Sequence, residues 1–206
     1  AYDKVNAMLR GKIAWATYRS ALEQGEDMEK YRRAIAQYPN LREARAEIRN
    51  CLPFLDEAKH FMVHLPTCLV SLDLNYSRNR LFVDSSDFCV GLSRLQNLTR
   101  LSLELGCSYR LQSIDTLCLE LSSMANLQDL EMDFNNCTQL AGVGNAISKA
   151  LGKLSKLHRL SLKFCTMSLS ATDLVLMGET ICTMLSLEEC QLEMQAVHNL
   201  CQYDKM

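Results

Sequence analysis

The stretch from Leu157 to Met167 reads LHRLSLKFCTM, with leucine at its first, fourth and sixth positions and cysteine at its ninth. The stretch from Leu127 to Cys137 reads LQDLEMDFNNC and keeps this frame, with methionine sixth and asparagine ninth. Leu98–Leu103 (LTRLSL) and Leu69–Leu74 (LVSLDL) carry its first half, and Leu185–Leu192 (LSLEECQL) carries its second half. A frame that returns at such intervals indicates a chain built from stacked structural repeats.

The spacing of the frame predicts one strand and one helix in each repeat. The fourth position of the frame advances by 29, 29, 30 and 25 residues, at Leu72, Leu101, Leu130, Leu160 and Leu185. Between the strands, apolar residues recur at helical spacing, at Phe88, Leu92 and Leu95, at Leu117, Leu121 and Met124, and at Val143, Ile147, Leu151 and Leu154. Neither element buries its apolar side alone, so the repeats are expected to stack. We therefore predict an α/β fold with a parallel sheet on a concave face and helices on a convex face.

The period near 29 residues, the full helix in each repeat and the cysteine or asparagine at the ninth position resemble the ribonuclease-inhibitor-like class of leucine-rich-repeat proteins. The resemblance covers about residues 66–200, and Leu127–Cys137 and Leu157–Met167 match it best. It implies a leucine-rich-repeat solenoid of about five repeats over residues 66–206, an architecture that offers a surface for binding rather than a reaction.

Residues 1–65 are predicted to form a helical segment. Apolar residues recur at helical spacing between Val5 and Ala16. Asn40 followed three residues later by Glu43 is typical of a capping box, which predicts a further helix over residues 40–51. Because the first repeat of a solenoid would otherwise expose its apolar end, this segment is interpreted as a cap that is continuous with the repeats.

A docking role for the same segment stays open. Residues 23–40 resemble a tetratricopeptide repeat, with a turn glycine at Gly25, a helix, and then Tyr-Pro-Asn. Arg42, Arg45 and Arg49 lie three and four residues apart, so on a helix they would share one face. That face would contact an acidic protein or RNA if the segment docks, or would simply be solvated if it does not.

Composition narrows the class of function. The chain has 206 residues, 48% of them hydrophobic, and a formal net charge of −2, so no overall basic field draws it to nucleic acid or an anionic membrane. No apolar run approaches the ~18 residues of a membrane-spanning helix. The ten cysteines include no C-x-x-C pair and no zinc-site spacing, and several fall at core positions of the repeats. We therefore expect free, buried thiols and an intracellular, reducing compartment, either cytoplasm or an organelle interior.

The sequence contains no recognisable catalytic motif. It lacks a P-loop, a dinucleotide-binding glycine motif and the H-E-x-x-H zinc-protease motif. His158 and Cys165 have the chemistry of a base and a nucleophile, but the frame places Cys165 in the core and His158 outside it. We therefore predict that the protein is not an enzyme, with no catalytic residue, no metal site and no cofactor.

The residues between the leucines are predicted to form the concave surface, because successive side chains of a strand point to opposite faces. The middle strands gather four acidic side chains there, Glu104, Asp129, Glu131 and Asp133. The fifth strand is predicted to contribute Met184, Ser186 and Glu188. Large apolar side chains stand at the strand ends and are predicted to form an exposed edge, at Tyr76, Leu105, Phe134 and Phe164.

An exposed aromatic edge beside an acidic patch is typical of protein-binding surfaces, in which apolar anchors supply affinity and charge supplies orientation. The candidate partner-binding residues are Asp73, Tyr76, Arg100, Glu104, Asp129, Glu131, Asp133, Phe134, Arg159, Lys163 and Phe164. Two other interpretations stay open: the charged face is only solvated, or the aromatic side chains fold back onto the next repeat.

The leading functional hypothesis is therefore a non-enzymatic protein–protein interaction module, or a structural subunit of a multi-subunit assembly. The partner would be a protein bound through the concave face. The alternative is a substrate-recognition arm of an enzyme complex, such as a ubiquitin-ligase adaptor. The chain starts at Ala1 rather than methionine, which is interpreted as a processed protein or a portion of a larger one.

Overall fold

A six-stranded parallel sheet dominates the computed structural model, which describes residues 5–8, 13–16, 40–47, 62–165 and 169–194. Its strands lie side by side in chain order: β3 (Glu43–Glu47), β4 (Ser71–Asn75), β5 (Arg100–Glu104), β6 (Asp129–Asp133), β7 (Arg159–Lys163) and β8 (Glu189–Glu193). Before them, β1 (Val5–Met8) pairs antiparallel with β2 (Ile13–Ala16). Helices follow β4, β5, β6 and β7: α1 (Ser86–Cys89, then a 3-10 turn at Leu92–Arg94), α2 (Asp115–Ser122), α3 (Val143–Leu151) and α4 (Ala171–Thr183). The predicted α/β class with a parallel sheet is confirmed.

The strands β4 to β7 are in the register that the leucine frame predicts. Leu72 lies opposite Leu101, Leu101 opposite Leu130, and Leu130 opposite Leu160. All four are buried. Because a one-residue slip would turn the inward leucines of a strand to solvent, these rows of leucine hold the register.

The last strand has a register different from the predicted one. Cys190 lies opposite Leu160, so the step is 30 residues rather than 25. The stretch LSLEECQL matches the frame in two overlapping ways, and the match centred on Leu185 is wrong because that side chain is fully exposed. Leu187 occupies the first position of the frame instead and packs against the core. The outward residues of β8 are therefore Glu189, Gln191 and Glu193 rather than Met184, Ser186 and Glu188.

Two of the helices predicted in residues 1–65 are wrong, whereas residues 62–64 at the end of this segment are helical. The strands β1 and β2 replace part of the first predicted helix, and β3 replaces the core of the helix predicted over residues 40–51. Ala44 lies opposite Leu72 and Ala46 opposite Leu74, and both alanines are buried. The stretch LREARA that begins at position 41 is thus a further copy of the frame, with alanine at two core positions.

Two further predictions about this segment depended on helices. The predicted arginine face of Arg42, Arg45 and Arg49 is wrong as a helix face, because Arg45 lies in β3 and Arg49 lies outside the described residues. The stretch that resembles a tetratricopeptide repeat also lies outside the described residues, apart from its last residue, Asn40.

One continuous apolar core lies between the sheet and the helices. It contains the inward side chains of β4 to β7 and every apolar helix position predicted between the strands: Phe88, Leu92, Leu95, Leu117, Leu121, Met124, Val143, Ile147, Leu151 and Leu154. Burying one such side chain stabilises the fold by about 1.5–3 kcal/mol. Packing of the strands and helices through this core therefore also fixes the positions of the side chains on the opposite face of the sheet.

The helices α3 and α4 are tied together at their N-termini. Asp173 and Ser170 form a capping box at the start of α4, with the Asp173 N–H donating to Ser170 Oγ at 3.0 Å. The same carboxylate accepts a hydrogen bond from the Gly144 N–H of α3 at 3.0 Å. A Cβ at Gly144 would lie 2.4 Å from Asp173 Cα, so only glycine permits this approach.

Candidate protein-binding surface

The open sheet face, as we call the face of β3–β8 that points away from the core, consists of three columns of side chains in register. The first column is Glu43, Ser71, Arg100, Asp129, Arg159 and Glu189. The central column is Arg45, Asp73, Ser102, Glu131, Ser161 and Gln191. The third column, from β4 onward, is Asn75, Glu104, Asp133, Lys163 and Glu193. All of these side chains except Asn75 are partly or fully exposed.

Eight of the eleven candidate residues from the sequence lie together on this face: Asp73, Arg100, Glu104, Asp129, Glu131, Asp133, Arg159 and Lys163. Their placement follows from strand alternation and is as predicted. Their role in binding a partner stays a prediction. Glu43, Arg45, Glu189 and Glu193 belong to the same face but were missed, because β3 was predicted as helix and β8 was predicted in another register.

The predicted aromatic edge is wrong. Tyr76, Phe134 and Phe164 are at most 1% exposed, and Leu105 is buried with them. Strand alternation continues one step beyond each strand, so these side chains point inward like the leucines two and four residues before them. Phe134 and Phe164 stack with their ring centroids 5.6 Å apart and an interplanar angle of 7°. The side chains are therefore part of the core and cannot anchor a partner.

Ion pairs between adjacent strands order the charged side chains of the open sheet face. Arg159 donates two hydrogen bonds to the Asp129 carboxylate, from Nε at 2.8 Å and from a terminal guanidinium nitrogen at 2.7 Å. Lys163 Nζ donates to Glu131 at 2.9 Å, and Arg45 Nε lies 3.2 Å from the Asp73 carboxylate. These bonds neutralise two of the four carboxylates in the predicted acidic patch.

The pKa values of the paired groups reflect these contacts. The hydrogen bond from Arg159 holds the pKa of Asp129 below its usual range, and the same bond raises the pKa of Arg159. The hydrogen bond to Glu131 raises the pKa of Lys163. All three groups are therefore charged at neutral pH, and the pairs persist there.

The open sheet face keeps an excess of negative charge. Its described side chains include eight carboxylates, Glu43, Asp73, Glu104, Asp129, Glu131, Asp133, Glu189 and Glu193, and four cations, Arg45, Arg100, Arg159 and Lys163. The formal net charge is therefore −4. Glu104 accepts a hydrogen bond from Asn75 Nδ2, and Asp133 accepts one from the Asn135 N–H at 2.8 Å. Carboxylates held in this way present charge at fixed positions.

Arg159 lines two depressions of the surface. One has a volume of about 330 Å³ and is lined by charged side chains of β5 to β8, among them Arg100, Asp129, Glu131 and Glu189. The other has a volume of about 560 Å³ and includes His158 and Glu188 at the start of the strands. Small-molecule sites are mostly apolar, whereas charged and polar side chains dominate the lining of both depressions.

The cysteines divide into buried and accessible groups, and every cysteine that the structure describes is a free thiol. Burial raises the pKa of Cys89, Cys118 and Cys137 to about 12, which leaves these thiols neutral and unreactive. Cys165, which the frame places in the core, is only half-buried. Cys190 lies opposite Leu160 on the inward side of β8 and is nevertheless exposed.

Comparison of the sequence with protein-family models finds no matching family, and comparison with curated proteins finds no matching sequence. Among the residues that the structure describes, no group of three or more His, Cys, Asp or Glu side chains is arranged to hold a metal ion. No helix in the same part of the chain has the length and apolar character needed to cross a membrane.

Proposed function

We propose that the chain is a leucine-rich-repeat solenoid that serves as a protein–protein interaction module, either alone or as a subunit of a larger assembly. Support for the repeat architecture comes from the constant step of 28–30 residues between equivalent strand positions from Ala44 to Cys190. In such a solenoid the open sheet face is the concave surface.

The observation that carries the proposal is the ordered, charged and uncovered open sheet face. Side chains that are already fixed by cross-strand ion pairs lose little conformational entropy when a partner binds. The excess of carboxylates would steer a partner with a basic surface and would fix its orientation. Arg159, which is paired with Asp129, lines both depressions and would be available to contact a partner seated there.

Neutralising variants test the charge component of this proposal. Glu104→Gln and Asp133→Asn remove two negative charges from the third column and keep side chains of nearly the same shape. Binding of the partner recovered from the native source by chemical cross-linking should weaken about tenfold, equivalent to ~1.4 kcal/mol, with most of the change in the association rate. Glu179→Gln, on the exposed surface of α4, is the matched control and should leave the affinity unchanged. Equal affinities for all the variants would show that the open sheet face is not the binding surface.

A further inference from the structure

A second charged surface lies at the turns that follow β4 and β5, residues 76–83 and 105–114. These two stretches contain three arginines, Arg78, Arg80 and Arg110, and the acidic residues Asp84 and Asp115 directly follow the two stretches. All three arginines are exposed, and Tyr109 beside them is 43% exposed. We call these four residues the basic turn edge. It is distinct from the open sheet face, whose net charge has the opposite sign.

Backbone hydrogen bonds hold the two turns against each other. The Arg78 N–H donates to the Gly106 carbonyl at 2.8 Å, and the Gln112 N–H donates to the Val83 carbonyl at 2.8 Å. Arg80 and Tyr109 are separated by 29 residues, the step between β4 and β5, so they occupy equivalent positions of adjacent turns. Adjacent strands lie ~5 Å apart, which places the arginine and the tyrosine side by side.

The electrostatics of Tyr109 agree with this placement. A hydrogen bond with Cys107 raises the pKa of the Tyr109 phenol, and the nearby charges of Arg80 and Arg78 oppose that shift. Both arginines are thus close enough, on the neighbouring turn, for their charges to affect the Tyr109 phenol.

None of the three arginines of the basic turn edge forms an ion pair with a described residue, whereas Arg45, Arg159 and Lys163 on the open sheet face are all paired. Like charges on neighbouring strands repel. An anionic ligand would remove this repulsion, and planar guanidinium groups bind phosphate oxygens through two parallel hydrogen bonds.

We propose that the basic turn edge binds a phosphorylated segment of a partner protein. The arginines would hold the phosphate, as arginine clusters do in other phosphopeptide sites. The exposed ring of Tyr109 would contact the residue next to the phosphorylated one. The size of the patch favours a peptide over a polynucleotide. In the described part of the chain, the following turn, residues 134–142, has no charged side chain, so the cationic track spans only two described turns, which is short for a nucleic-acid backbone.

Phosphopeptide binding to the full chain tests the proposal. The probe is a fluorescent ten-residue peptide of glycine and serine with one central phosphoserine, and its unphosphorylated form is the reference. The phosphopeptide should bind saturably and at least about tenfold more tightly than the reference. Combining Arg78→Asn, Arg80→Gln and Arg110→Gln should abolish that difference. Combining Lys149→Gln and Lys153→Gln, exposed lysines on the helical side, should preserve it.

The variants are chosen so that loss of binding reports on the site and not on folding. Arg78 has φ of +64°, a backbone conformation that asparagine tolerates well and that Asn136 adopts at the equivalent position two turns later. The single variant Arg80→Gln, at an exposed position, supplies a second measurement and should also weaken phosphopeptide binding.

Four outcomes would overturn the proposal. The first is equal affinity for the phosphorylated and unphosphorylated peptides, and the second is unchanged affinity in Arg80→Gln and in the triple variant. The third is displacement of the peptide by inorganic phosphate at the same concentration as the peptide itself, which would indicate a site for a free anion. The fourth is tighter binding of a ten-nucleotide single-stranded RNA, which would indicate a nucleic-acid site. Variants of Glu104 and Asp133 test the open sheet face separately, so the two proposals fail independently.

Discussion

Phe134 shows how one step along the chain separates a binding residue from a core residue. Its neighbour Asp133 faces solvent on the open sheet face, whereas Phe134 is buried and stacks on Phe164. The sequence contained the rule that decides this, since Leu130, Met132 and Phe134 are two residues apart. The prediction of an exposed edge stopped the alternation at the end of the strand, but the chain continues it.

Truncation of the ring should therefore affect stability. Phe134→Ala is expected to lower the free energy of unfolding by about 3–5 kcal/mol, because it leaves a cavity against Phe164. Urea unfolding followed by circular dichroism measures the change. Tyr109→Ala, at a partly exposed position, is the control and should cost less than about 1 kcal/mol. If Phe134→Ala left stability unchanged but weakened partner binding, the result would support the prediction that Phe134 is an exposed binding residue.

Glycines in neighbouring helices give a second test at this scale. At Gly144 a methyl group would collide with the backbone of Asp173, so Gly144→Ala should destabilise the protein by about 1–3 kcal/mol. At Gly178, in α4, a Cβ would meet nothing within 4 Å. Gly178→Ala should therefore stabilise the protein by roughly 0.5–1 kcal/mol through helix propensity. Thermal unfolding of both variants measures the contrast, and shifts of the same sign would refute the close helix contact.

At the scale of the element, β3 and β8 explain why the ends of the sheet were harder to predict than its middle. The β4–β7 strands have leucine or methionine at both inward positions, which makes their period visible. The β3 strand has alanine there, between glutamate and arginine, and all three residue types favour helices in isolation. Pairing with β4 overrides that local preference, and no local signal reveals it.

The correct register of β8 could have been predicted from the spacing of the repeats. A step of 25 residues breaks a series of 29, 29 and 30, whereas placing Cys190 opposite Leu160 gives 30. The overlapping leucines at 185 and 187 concealed this second match. The same error placed the wrong side chains of this strand on the open sheet face.

Paired leucine variants test the register of β8. Leu187 packs against the core, and Leu185 is fully exposed. Leu187→Ala should destabilise the protein by about 1–2 kcal/mol, less than a fully buried leucine because the side chain is only partly covered. Leu185→Ala should change stability by less than about 0.5 kcal/mol. Denaturant unfolding compares the two, and a larger loss at position 185 would support the register predicted from sequence.

At the scale of the whole molecule, buried thiols make stability depend on alkaline pH. The pKa of Cys89, Cys118 and Cys137 is about 12 in the fold, and a thiol in an unfolded chain has a pKa of ~8.5. The contribution of these neutral thiols to the free energy of unfolding is fully present below pH ~8.5. It is lost as the pH rises towards 12, because the thiols lose their protons in the unfolded state first. Raising the pH from 7 to 9.5 should lower the free energy of unfolding by about 1 kcal/mol for each of these thiols.

Cysteine variants isolate this effect. Cys118→Ala should reduce the loss of stability between pH 7 and pH 9.5, measured by urea unfolding. Cys182→Ala, which removes an exposed thiol of α4, should leave the loss unchanged. A loss of the same size in Cys118→Ala would assign the pH dependence to other groups.

Site-specific photo-cross-linking tests most directly whether a partner protein binds the open sheet face. Ser102 and Ser161 lie two strands apart in its central column and are half-exposed, so a photoreactive amino acid fits at either position. We expect both positions to cross-link to the same partner protein in the native source, and the same photoreactive residue at position 179 on α4 not to do so. Cross-links to the partner from position 179 alone would contradict binding at the open sheet face.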